Sequence, residues 1–373
     1  METSTLINSI DIYRVSMPLV YPFRTAYGDD YAIESVLVKI TSGDYYGWGE
    51  ATPMAAPAYS PEWAYGAFVM VRDWLAPLLI GKSISSGSEL QAALSRCKGN
   101  FFAKGSLDLA WWDLRARQLG EPLWKLLGGI ADEVKVGADF GVMDSLDDLL
   151  AAIGEAVAQG FLRVKLKFRP GWDIVMVRKV RARFPHLTIH IDCNSGYSLA
   201  DTPMFQALDD FNLAMIEQPL AHDDLADHAK LQASLRTPIC LDESITSLAK
   251  ARKAIELRSC RWINLKPGRV GGLTTTVEIN NLCRENGIPC WIGGMLESAV
   301  GASHCLALAT LPNIQYPSDI FPSSRFYTHD LGQPEIRLSG PSRIRARGES
   351  GIGCEPDPAE LEKRKVDYAR VRA

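Results

Sequence analysis

No apolar run in the chain approaches the roughly 18 residues that a membrane-spanning helix needs, so no membrane partner is expected. The first residues, METSTLINSI, carry neither the basic start nor the apolar middle of a secretory leader. Cysteines stand at 97, 193, 240, 260, 283, 290, 305 and 354, but none forms a CxxC pair and most lie in apolar stretches. That argues against a zinc cluster or a disulfide framework and for reduced, buried thiols in a cytoplasmic protein. An excess of positive charge is missing too: 40 Lys and Arg against 44 Asp and Glu leave a net charge of −4, which speaks against a nucleic-acid partner. What remains is a chain of 373 residues, 47% of them hydrophobic. That is enough for two domains, one of them a barrel of roughly 250 residues.

What the chain does have is a rhythm. Between Gly160 and Glu297, apolar segments end in charge: RVKLKF (163–168), IHIDCN (189–194), AMIEQP (214–219), ICLDES (239–244) and WINLKP (262–267), followed by CWIGGM (290–295). The terminal charges are Lys167, Asp192, Glu217, Asp242 and Lys266, spaced by 25, 25, 25 and 24 residues. A strand of about five residues, a helix and two short loops take that length. Parallel strands need such crossovers. A run of βα units closing on itself is a (β/α)-barrel, whose chemistry sits at the C-terminal strand ends. VKVGAD (134–139) is predicted as the first strand and IQYP (314–317) as the eighth. Helices are expected near 144–159, 173–184, 201–210, 222–235, 246–256, 272–286 and 298–310, with Asp173, Asp201 and Thr246 as N-caps.

Ahead of the barrel, residues 9–18, 32–41 and 45–51 alternate like antiparallel strands. Residues 61–79, 86–97 and 103–118 are predicted as helices, with the Trp111-Trp112 pair in the core. LVYPFRTAYGDD (19–30), with Arg24 and Tyr27, is expected to be a loop long enough to serve as a lid. The predicted organisation is an α+β cap over 1–130, a barrel over 131–330, and a segment 331–373 that packs on the cap or stays partly mobile.

In Val164-Lys165-Leu166-Lys167-Phe168 strand periodicity puts both lysines on one face, and in a barrel that face is the inner one. Two adjacent ammonium groups repel, which is expected to lower one pKa toward neutrality and make a general base. Asp192, Glu217 and Asp242 end three successive strands and converge on one rim, where a hard divalent cation would relieve their repulsion. Mg²⁺ fits, with Mn²⁺ as an alternative, because no His or Cys accompanies the three. Lys266 ends the sixth strand, nearly opposite Lys167. A small carboxylate bound at the metal would hold its α-carbon between two amines, which suits proton abstraction through an enediolate.

These segments, with PFRTAYG, GWGEA, FFAKGSLDLAWWDL, VKLKFRPGWD, IEQPL, ICLDESI, NLKPGRVGG and WIGGMLES, resemble the enolase superfamily, muconate-lactonising subgroup, over nearly the whole chain. The nearest likeness is to the o-succinylbenzoate synthase / N-acylamino acid racemase family. The resemblance implies Lys167 as base, Lys266 as its partner, and Asp192, Glu217 and Asp242 as Mg²⁺ ligands. It also implies Lys165, Asn194, Gly294, Met295 and Leu296 around the substrate, with residues 19–30, including Arg24 and Tyr27, as lid. One departure stands out: where the family commonly has Ser after the first strand, this chain has Asp139. It would repel an anionic substrate group, pair with Lys165, or accept from a cationic one.

The leading expectation is a lyase, o-succinylbenzoate synthase, in menaquinone synthesis, with N-acylamino acid racemisation as the alternative. Dipeptide epimerisation would call for an acidic pair after the eighth strand, where only Asp319 stands. A Schiff-base aldolase using Lys266 would leave three carboxylates idle. A non-catalytic barrel ranks last, and a homo-oligomer stays open.

Overall fold

The computed structural model describes residues 4–372. The chain opens with three strands, β1 (Ser9–Arg24), β2 (Asp29–Ser42) and β3 (Tyr45–Ala51), paired antiparallel in sequence order. The final strand, Lys365–Arg372, adds to the free edge of β1, so the tail returns to the cap. Ile10, Ile12, Val36, Val38 and Ile40 bury one face of this sheet against Leu107, Trp111 and Leu114 of the Phe101–Leu119 helix. GWGEA owes its glycines to that contact. A Cβ on Gly47 would lie 2.1 Å from the Leu114 nitrogen, and one on Gly49 2.3 Å from the Ser106 oxygen. Residues 19–30 are not the expected loop. β1 runs on to Arg24, and a turn over Thr25–Gly28 leads straight into β2. Cross-strand pairing lapses over residues 19–22, which stand opposite Tyr31 in an irregularity that takes up Pro22, and resumes at Phe23 with Asp30 and Arg24 with Asp29.

β4 (Ala138–Phe140), β5 (Arg163–Lys167), β6 (Thr188–Asp192), β7 (Ile216–Glu217), β8 (Ile239–Leu241), β9 (Trp262–Leu265) and β10 (Cys290–Ile292) form one parallel sheet in sequence order. This is the predicted (β/α)-barrel, corrected at its seam. The predicted first strand is broken: Glu133–Lys135 pairs antiparallel with Arg343–Arg345, and only Ala138–Phe140 joins the barrel. The break falls at Gly137, where a Cβ would lie 2.1 Å from the Arg163 guanidinium carbon. The predicted eighth strand is no regular strand either. Ile314 and Ser318 close the ring through isolated bridges to Cys290 and Val136. Pro317 has no N–H to give a ladder, and its carbonyl is taken by Arg163.

Alternation along the strands sorts the side chains into two sets. Val164, Leu166, Ile189, Ile191, Ile263 and Leu265 face the helices and belong to the main core. Inside the ring, Met215, Cys240 and Trp291 form a small apolar cluster with Trp262 and Tyr316, below the polar residues of the mouth. The barrel helices fall within three residues of their predicted bounds. Their caps differ. Asp173 sits at an N-cap but bonds the Gly171 N–H instead of the helix. Asp201 is the third residue of a box capped by Ser198. Ser247, not Thr246, accepts from Lys250 N–H. In each case a neighbouring serine or turn amide reaches the oxygen with less backbone rearrangement. Trp111 is buried as expected, and its neighbour Trp112 donates to Thr274 of a barrel helix at 2.9 Å.

Candidate active site

The C-terminal strand ends carry one connected set of buried charges. Lys167 at the end of β5 donates to Asp192 at the end of β6 at 2.7 Å. Lys165, one layer lower, lies 3.0 Å from Asp192, 2.9 Å from Glu217 and 3.4 Å from Asp319. Lys266 after β9 lies 2.9 Å from Asp242, which also pairs with Arg269. Tyr59, from the segment after β3, donates to Asp242 at 3.1 Å and accepts from Lys266 at 3.2 Å. Asn264 donates to Glu217 at 2.6 Å, and Asn194 to Glu243 at 3.2 Å. Asn194, Ser195, Gln218 and Leu296 adopt positive φ just beyond strand ends. For residues with side chains that backbone conformation is strained, as is common where a site fixes unusual directions.

Lys165, Lys167, Lys266, Asn194, Tyr27, Gly294, Met295 and Leu296 line one small cavity of about 30 Å³, together with Phe23, Met54 and Tyr59 of the cap. Asp139 joins them. Arg24 does not: it pairs with Asp29 at 3.5 Å and with Asp144. The hairpin tip that carries Tyr27 is held at the rim by Arg169, which donates to the Thr25 carbonyl at 3.2 Å.

Two expectations need correcting. Lysine–lysine repulsion does not dominate here: burial is the largest influence and lowers the pKa of Lys167, as Lys165 does, but Asp192, Asp139 and Tyr27 act together against them and hold the amine above its ordinary value. Lys165 is raised further by Asp192, Glu217 and Asp319 against the same burial. Nor does Asp139 pair with Lys165, although the two are in register on adjacent strands. Lys165 is already engaged by three carboxylates, and Asp139 Oδ1 has no hydrogen-bond partner. Burial raises the Asp139 carboxyl pKa despite Lys167 and Lys165.

Among the described residues no three acidic, His or Cys side chains stand arranged around one point. Lysine and arginine nitrogens occupy the oxygens of Asp192, Glu217 and Asp242. The donor set still fits a hard divalent cation, since it offers buried carboxylate oxygens only. Glu243, beside Asp242, has an unpartnered buried oxygen, and burial and Asp192 push its carboxyl up to about 7.

Comparison with known proteins fits this geometry. Residues 8–128 match the mandelate racemase / muconate lactonizing enzyme N-terminal domain, and residues 148–360 match the enolase C-terminal domain-like family. The chain belongs to the enolase superfamily. An o-succinylbenzoate synthase of Geobacillus kaustophilus is 44% identical over 98% of this chain and 97% of that protein. An N-succinylamino acid racemase of Thermus thermophilus is 41% identical over 87% of this chain and 88% of that one. A solved enolase-superfamily member from Listeria innocua superposes with a TM-score of 0.94 at 35% identity, covering 99% of each chain. Like these relatives, the chain is an enzyme of the superfamily, a lyase or racemase.

Several residues of this enolase-superfamily site were not singled out from sequence. Arg163, His190 and Asn264 lie two residues before Lys165, Asp192 and Lys266, so strand alternation extended by one step would have found them. His190 lies 3.4 Å from Glu217 and 3.0 Å from the Tyr316 hydroxyl. Arg269 falls inside the quoted NLKPGRVGG, but nothing in its spacing aims it at Asp242. Tyr59 and Glu243 had no periodic signal at all.

Proposed function

We propose that the chain is an o-succinylbenzoate synthase that dehydrates a cyclohexadiene carboxylate by abstracting the proton α to its carboxylate, in menaquinone synthesis. The observation that carries this is the placement of Lys167 and Lys266 on one small, capped cavity, each beside a strand-end carboxylate. The names of the relatives support the substrate class. Asp192, Glu217 and Asp242 would hold one Mg²⁺, which supplies positive charge against the substrate carboxylate as it takes up the electrons of the lost proton. With such an ion bound, Asp192 would have less charge to offer Lys167, and repulsion from Lys165 would favour the neutral amine that Lys167 needs. Lys167 takes the α-proton and returns it to the departing hydroxide on the same face. Lys266 stays cationic, oriented by Asp242 and Tyr59, and steadies the developing negative charge. Tyr27, Tyr59 and Phe23 exclude water from above.

The same pair of amines also supports racemisation of N-acylamino acids, in which Lys266 works on the opposite face. The chain's likeness to a named racemase favours keeping this second reading. The deciding experiment offers the purified protein with Mg²⁺ both substrates. Formation of o-succinylbenzoate is followed by absorbance, and α-proton exchange of N-succinylamino acids is followed in D₂O. Dehydration at enzymatic rates is expected. A protein that exchanges both enantiomers but forms no o-succinylbenzoate is a racemase, and one that does neither refutes both readings.

A further inference from the structure

Asp139 is part of the wall between two cavities. On one side is the catalytic cavity of about 30 Å³, shared with Lys165 and Lys167. On the other is a cavity of about 380 Å³ beneath the cap hairpin, lined among others by Tyr21, Phe140, Met143, Phe161, Glu155 and Arg325. Asp139 is only 6% exposed, and its Oδ1 lacks a hydrogen-bond partner. A buried carboxylate oxygen is costly to leave bare, and the nearby cations do not serve it. Lys165 is engaged by Asp192, Glu217 and Asp319, and Lys167 by Asp192. Arg325 donates to the backbone carbonyl of Asp139 at 2.7 Å and lays its guanidinium over the Phe140 ring, 5.0 Å from its centre. The larger cavity therefore offers aromatic and aliphatic walls with two carboxylates, Asp139 and Glu155, against one guanidinium.

We propose that Asp139 is a specificity-determining residue that pairs with a cation, an ammonium or guanidinium, at the far end of the substrate, and that the outer cavity houses the arm bearing it. The inference rests on the second reading above, racemisation of N-acylamino acids, and names the side chain such a substrate carries; the cyclohexadiene carboxylate of the first reading has no cation to pair with Asp139. The reacting carbon sits in the inner cavity, which has no room for a long side chain. The outer cavity has that room, and only the Asp139 side of it touches the catalytic lysines' cavity. An anionic amino-acid side chain there would meet the bare carboxylate oxygen and be repelled, whereas a cationic one would complete a charge-assisted hydrogen bond.

The test compares N-succinyl derivatives of lysine and arginine with those of norleucine and citrulline, which match them in length without charge. Two quantities are read on the full-length protein with Mg²⁺: kcat/KM for α-proton exchange in D₂O, and the rise in Tm that each ligand causes. Wild type should favour the cationic ligands by about tenfold in kcat/KM, mainly through KM. In Asp139→Asn and Asp139→Ala the cationic-to-neutral ratio should fall to about one. Equal kcat/KM for cationic and neutral ligands in wild type overturns the proposal. So does citrulline matching arginine, or a preference that survives both substitutions. If no ligand exchanges and no o-succinylbenzoate forms, the proposed chemistry has failed on its own account. The Tm comparison then still decides on Asp139, because a larger shift from the cationic ligands in wild type than in the variants needs no turnover.

Discussion

At the barrel mouth, Asp192, Glu217 and Asp242 each meet at least one lysine or arginine. Along the seam between cap and barrel, Glu50, Asp108 and Asp330 meet N–H groups and hydroxyls instead. Glu50 at the end of β3 accepts from Ser298 N–H at 3.1 Å and Gly301 N–H at 2.9 Å, at the start of the Ala299–Ala309 helix. Asp108 accepts from Thr274 N–H at 3.1 Å and its hydroxyl at 2.7 Å, and Asp330 from Ala299 N–H at 2.8 Å. Burial raises carboxyl pKa values in both places, and the outcomes diverge. At the mouth several partners together overcome burial: Lys165, Lys167 and Lys266 hold Asp192 well below the carboxylate range, and Lys165 with His190 lowers Glu217 to about 2 against burial and Asp192. At the seam the dipoles do not overcome it: Glu50 and Asp330 stay raised and Asp108 reaches about 6. Dipoles satisfy the geometry of a buried carboxylate without repaying its lost hydration, whereas full charges shift its proton equilibrium. The seam fastens two domains. The mouth keeps its carboxylates and amines ionised side by side.

The comparison is tested most severely by metal removal. Excess chelator should abolish activity, and Mg²⁺ at about a hundred times its Kd should raise stability by about 2.7 kcal/mol. Calorimetry of the metal-free protein and of Asp192→Asn checks this, and full activity in chelator would sink the assignment. Next in size, Lys167→Ala should lower kcat by about 10³-fold while Tm changes little, because Lys165 still holds Asp192. A matching loss of kcat in Asp108→Asn would erase the distinction between mouth and seam.

Lys266→Arg separates the two reactions. A syn dehydration needs only a cation there, but racemisation needs an amine able to lose its proton, which arginine does not do. Dehydration should survive at a level reduced by roughly tenfold for the bulkier group. Exchange in D₂O should persist only for the enantiomer facing Lys167. Exchange of both by the variant would displace Lys266 from the opposite face.

The last effect belongs to the seam and is read in stability alone. The folded pKa of Asp108 is raised from 3.8 to about 6, so its protonated form favours the fold. Its contribution is complete below about pH 4 and is lost as pH rises through 6, by up to about 3 kcal/mol. Stability curves from pH 4 to 7 should therefore fall less steeply in Asp108→Asn than in wild type. Parallel curves would show that the seam dipoles hold the charged form after all.

How much was legible depends on how local the signal was. The strand-end charges and the inward lysines follow from periodicity, and the parallel barrel follows from the near-constant spacing. The broken first strand did not show, because VKVGAD alternates acceptably and only the Arg163 side chain on the neighbouring strand leaves no room for a Cβ at Gly137. Residues 19–30 looked like a loop because Pro22 and Gly28 weaken the pattern, yet the strand runs on to Arg24, and Phe23 and Arg24 pair with Asp30 and Asp29 to close a hairpin. The N-caps were misplaced by a residue or by role, since oxygen-bearing side chains cluster at helix starts and backbone direction chooses among them.

By itself, the sequence determined the order of strands, the face each side chain takes, and which charged residues reach the C-terminal rim, because those depend on a repeat of two within a strand and a crossover length between strands. Only the tertiary structure decided which of those charges neutralise one another. Asp319 reaches Lys165 across 154 residues and Tyr59 reaches Lys266 across 207, while Asp139, in register beside Lys165, is left with a bare oxygen. Coulomb energies depend on distances of a few ångströms between distant parts of the chain, and no local pattern encodes those distances.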